Sequence, residues 1–126
     1  EQAFYFFQDV FIGGDDGLGF GNGDAVDSDD WVGAFNGDVC VGARKWDTSL
    51  CGQGVCEVPV MGDNGDEFTE GYMETEDIPT FKIYDVSEGI IYNATTEMTI
   101  EPWQHLGISV ISTLEADISS AAPCKD

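Results

Sequence analysis

The chain has 126 residues and a mass of 13.6 kDa, 42% hydrophobic and 12% aromatic. It therefore holds one domain's worth of core and is not a disordered acidic tail. Only Arg44, Lys45, Lys82 and Lys125 stand against 25 acidic residues, a net charge of −21, which excludes gripping nucleic-acid phosphates and polybasic membrane binding.

No apolar run approaches the ~20 residues that cross a bilayer, so no membrane span is expected. Val, Ile, Thr and the aromatics make up 42 residues against 4 Leu, and these types favour a pleated, half-buried surface. Glycines clustered between such runs suit tight turns. The expectation is a single all-β domain over residues 1–126, an antiparallel β-sandwich of jelly-roll or Ig-like kind with long acidic loops.

In chain order, residues 3–12 read as a strand. Phe4 and Phe6 share one parity and Tyr5 and Phe7 the other, so both faces need cover. Residues 13–30 hold six Gly and six Asp, an acidic loop. Trp31–Phe35 and Val39–Ala43 flank Asn36-Gly37, a strong hairpin signal. Residues 47–56 form a loop, and Val58-Pro-Val-Met61 a short strand whose proline suggests an edge. A second acidic loop, Asp63-Asn-Gly-Asp-Glu67, follows. Thr80–Tyr84, Ile90–Tyr92, Met98–Ile100 and Ile108–Ile111 complete eight or nine strands, and residues 112–117 suit one helical turn.

Four cysteines with no CxxC pair and no nearby histidine point away from zinc and towards disulfides. Cys51-Gly-Gln-Gly-Val-Cys56 has slack to close a small disulfide loop, and Cys40 and Cys124 then pair by elimination. Asn93-Ala94-Thr95 is a glycosylation sequon that agrees with export. The first residue is Glu rather than Met, so the chain is read as exported, with a signal peptide removed, to the cell surface or beyond.

Enzyme chemistry has little to stand on. His105 is the single histidine, and no nucleophile motif, P-loop, dinucleotide fingerprint or zinc signature occurs. Calcium is the stronger expectation, because a hard cation takes six to eight oxygens. Two segments offer them: Asp24, Asp27, Asp29 and Asp30 in the first loop, and Asp63, Asn64 and Asp66 in the second. In an extended loop Asp27 and Asp29 point the same way. Neither loop has the EF-hand pattern, and residues 19–27 match an RTX nonapeptide only loosely. Among tryptophans, Trp31 lies in a strand with Val32, Ala34 and Phe35 and is expected in the core. Trp46 and Trp103, beside charged or turn residues, have room to be exposed and to offer a face to a sugar ring, although buried tryptophan is common in sandwiches.

The run Asp29-Asp-Trp-Val-Gly-Ala-Phe-Asn-Gly-Asp-Val-Cys-Val-Gly-Ala43 resembles a strand–turn–strand of secreted bacterial modules. Phe81-Lys-Ile-Tyr-Asp85 resembles their later strand, and an aromatic-rich end follows at Trp103, so the likeness spans roughly residues 3–116. The resemblance implies an extracellular β-sandwich. The chain is similar to the single-module subunits of extracellular bacterial filaments found in environmental samples.

The function expected is structural: a pilus-like homopolymer of copies of itself, stabilised by disulfides and calcium. Assembly would run through the terminal strand carrying Phe4, Tyr5, Phe6 and Phe7, engaged with a neighbouring subunit. The competing expectation is a monomeric module that binds carbohydrate or a cell surface.

Overall fold

The computed structural model describes residues 1–13, 24–116 and 122–123. Its strands are β1 (Gln2–Ile12), β2 (Asp24–Ala25), β3 (Trp31–Asn36), β4 (Val39–Lys45), β5 (Cys56–Met61), β6 (Thr80–Asp85), β7 (Ile90–Thr96), β8 (Ile108–Ala116) and β9 (Ala122–Pro123). No α-helix occurs among the described residues, so the domain is all-β as its composition requires. One sheet runs β2-β1-β8-β7-β6-β3-β4, with β5 paired to β1 and β9 to β7.

The sheet is mixed rather than wholly antiparallel. β1 and β8 run parallel from Phe4↔Ile108 to Ile12↔Ala116, while the other ladders are antiparallel. Tight turns force antiparallel pairing only between consecutive strands. β1 and β8 come from distant parts of the chain, and nothing in either sequence fixes their relative direction.

The sheet curls over itself. Tyr5 and Phe7 of β1 touch Phe81 of β6 at 5.7 and 5.0 Å between ring centroids, although these strands share no ladder. Its ends meet where β4 lies against β5. Arg44 Nε donates to the Glu57 carbonyl at 2.6 Å, and a Cβ on Gly42 would overlap the Pro59 carbonyl. Alternate residues fill the interior: Ala3, Tyr5 and Phe7 of β1, Val32 and Ala34 of β3, Val58 and Val60 of β5, Phe81 and Ile83 of β6. Trp103 is buried with them. Its indole N–H donates to the Val60 carbonyl at 2.9 Å, and its ring lies so close to Gly62 that no Cβ would fit there. The Tyr5 hydroxyl donates to the Glu101 carbonyl at 2.8 Å; burial first, and the Glu101 charge second, push its pKa up to about 12.

Two local expectations are corrected. Met98–Ile100 is not a strand, being a three-residue run hemmed in by Glu97 and by Glu101-Pro102. Residues 112–116 continue β8 instead of turning into a helix. Leu114, Glu115 and Ala116 favour helix intrinsically, but pairing with β1 to Ile12 and with β7 through Ala94–Thr96 outweighs that preference. Residue 117 lies outside the described residues.

Candidate functional site

The two acid-rich turns are built differently. Asp30 is only 3% exposed, and its carboxylate accepts the Asp27 N–H at 2.9 Å and the Val86 N–H at 3.0 Å. Its own N–H donates to the Asp27 carbonyl (3.0 Å), and its carbonyl accepts the Trp46 N–H (2.7 Å). One residue thus ties the turn before β3 to the β6–β7 turn and to the end of β4. Asp24, Asp27 and Asp29 are exposed around it, with Asp29 Oδ1 3.5 Å from Lys45 Nζ.

In the second turn Asp63 Oδ1 accepts from Gly65 N–H (2.7 Å) and lies 3.1 Å from the Thr69 hydroxyl. Asp66 Oδ1 accepts the Phe68 and Thr69 N–H groups at 3.0 and 3.1 Å, capping a one-turn 3₁₀ helix at Glu67–Thr69. Asn64 Oδ1 accepts from the Glu1 nitrogen at 3.1 Å. Asp63, Asp66, Glu67 and Glu70 line one open hollow of about 300 Å³. Among the described residues no three acidic, Cys or His side chains converge as an ion cage.

Cys51 and Cys56 are disulfide-bonded, with Cα atoms 5.2 Å apart, around a loop in which Gln53 and Gly54 adopt positive φ. Cys40 is exposed on β4, and its expected partner Cys124 lies outside the described residues. Asn93 is exposed on β7 opposite Lys82. His105 sits at the surface, where its Nδ1 accepts the Gln2 N–H at 3.3 Å.

Of the aromatic run on β1, Tyr5 and Phe7 are core, while Phe4 and Phe6 are half-buried on the outer face. Both edges of the strand are laddered, to β8 on one side and to β5 and then β2 on the other. Phe4 and Phe6 pair with Ile108 and Val110, which are 69% and 53% exposed. These four side chains form an outward apolar strip. From Ile108 to Thr113, β8 has no ladder among the described residues on the edge away from β1. On this stretch the Ser112 N–H meets the Met98 thioether, a weak acceptor, at 3.4 Å.

Trp31, expected in the core, is the exposed tryptophan. Trp46 and Trp103 are buried, whereas Trp31 is 40% exposed. Val32 and Ala34 take the inner parity of β3, which leaves Trp31, Gly33 and Phe35 facing outward. Trp31, Phe35, Tyr84 and Ile91 wall an apolar groove of about 170 Å³ above Gly33 and Ala43, with Lys82 Nζ 5.1 Å from the centre of the Phe35 ring. Sequence reading missed this groove. The available signal was that small Gly33 and Ala43, paired across strands, leave a gap on whichever face they occupy. No protein-family model, curated protein or solved structure matches the chain.

Proposed function

We propose that the protein is a structural, non-catalytic subunit of an extracellular bacterial filament, a pilus-like homopolymer of copies of this chain. The observation that carries the reading is the outward strip of Phe4, Phe6, Ile108 and Val110 beside the unladdered stretch of β8. A strand edge with apolar neighbours is a template for another chain, and covering each large side chain contributes roughly 1.5–3 kcal/mol. Because β1 is laddered on both sides, β8 supplies the edge in this reading, and Phe4 and Phe6 supply apolar surface.

Calcium would draw the carboxylates of Asp63, Asp66, Glu67 and Glu70 inward and relieve repulsion between −21 chains. The exposed Asn93 would carry the glycan. A jelly-roll or Ig-like sandwich is the finer fold reading, supported by the packing of β1 rings on Phe81. The resemblance to filament modules belongs to the same proposal.

Negative-stain microscopy and sedimentation of the purified chain test it. Filaments are expected, with Ile108→Asp/Val110→Asp reducing them strongly. A 13.6 kDa monomer at all concentrations, with and without calcium, overturns the filament. That result leaves the monomeric carbohydrate-binding module, which the exposed Trp31 ring favours.

A further inference from the structure

We propose that Phe68 of one copy of this chain inserts into the Trp31–Phe35–Tyr84 groove of the next copy, an inference that rests on the filament reading and names one of its contacts. Phe68 is 84% exposed, the most exposed large hydrophobic side chain among the described residues. The Asp66 carboxylate holds its backbone by accepting the Phe68 and Thr69 N–H groups, so the ring is presented on a fixed turn rather than a loose loop. Exposed Asp66, Glu67 and Glu70 flank it in sequence.

The groove is complementary in size and in charge. An apolar cavity of ~150 Å³ takes one benzene, and this groove of about 170 Å³ is walled by Trp31, Phe35, Tyr84 and Ile91. One aromatic side chain fills it, whereas ligand sites for larger molecules run to several hundred Å³. Of the three cationic side chains among the described residues, two stand on this face. Lys82 lines the groove and pairs across strands with Gly33; Lys45 pairs with Trp31 and is shared with Asp29 of its own chain at 3.5 Å, which leaves Lys82 as the main charge at the groove. In a chain with 25 acidic residues this is where an acidic neighbour meets opposite charge. An acid-flanked knob and a lysine-flanked groove are different surfaces, so their contact is heterologous, and where its rotation does not close a ring it propagates into an open polymer rather than a closed dimer.

The test uses two full-length variants and their mixture. Phe68→Ser removes the knob and keeps the groove; Ala43→Trp fills the groove and keeps the knob. Unchanged thermal melts establish that both fold. Each is expected to raise the critical concentration for polymerisation at least tenfold. Mixed one to one, they are expected to form a dimer, because one intact knob meets one intact groove and the chain then ends.

If the wild type polymerises and both variants do so equally well, this contact is overturned and the filament reading stands. Loss of assembly in both variants with no dimer on mixing also overturns the pairing. A wild type that stays monomeric overturns both readings. A soluble oligosaccharide that shifts Trp31 fluorescence without altering wild-type polymerisation overturns the assignment of the groove to a second copy.

Discussion

Asp30 and Asp66 make the same bonds in opposite surroundings. Each carboxylate accepts two backbone N–H groups, Asp30 from Asp27 and Val86, Asp66 from Phe68 and Thr69. Asp30 is buried and reaches a residue 56 positions away, whereas Asp66 is exposed and serves its immediate neighbours. A density of aspartates therefore does not define one role. The first turn uses its central acid as a long-range clamp, and the second leaves its acids at the surface to cap their own short turn.

The largest test of that difference is Asp30→Ala. It strands two N–H groups, one of them in the β6–β7 turn, and is expected to destabilise by about 3 kcal/mol in urea unfolding. A loss below about 1 kcal/mol would put the two turns on the same footing. Calcium comes next. If the second turn takes the ion, chelation lowers the melting temperature, with about 2.7 kcal/mol at stake at a hundredfold excess over Kd. The shift should vanish in Asp63→Ala/Asp66→Ala and survive in Asp27→Ala; an unchanged melt of metal-loaded protein in excess EDTA rejects the ion.

Asp66→Ala removes a local cap and is expected to cost about 1 kcal/mol, clearly less than Asp30→Ala. The smallest effect belongs to the Lys45–Asp29 pair, whose side chains are 52% and 75% exposed. A double-mutant cycle there should return less than about 0.5 kcal/mol, screened further by salt.

Much of the strand framework was legible because it is local. The β3–β4 hairpin around Asn36-Gly37, the alternation of β6 and the Cys51–Cys56 loop all follow from short-range pattern. What could not be read depends on distant partners. Period-2 alternation separates Trp31 from Val32 but does not say which parity faces the core; the curl of the sheet decides that. The helix-favouring end of β8 is held extended by β1, a strand a hundred residues earlier. Asp30 looks like its neighbours until Val86 arrives to bury it. Of the surfaces now proposed for assembly, Phe4 and Phe6 were visible as excess apolar residues. Ile108, Val110 and Phe68 acquire meaning only from their exposure.

The seam between β4 and β5 differs from the laddered parts of the sheet in how it is closed. β5 is laddered to β1 and β4 to β3, but across the seam the close approach of Gly42 to Pro59 and the grip of Arg44 on Glu57 take the place of a ladder. A curled sheet that is clasped rather than laddered along this line has a place to gape. Local openings of low free energy should start there, and deuterium should enter the amides of β4 well before those of β1, which is sealed along both edges. The fold thus has a line of weaker closure, set by one arginine and one glycine.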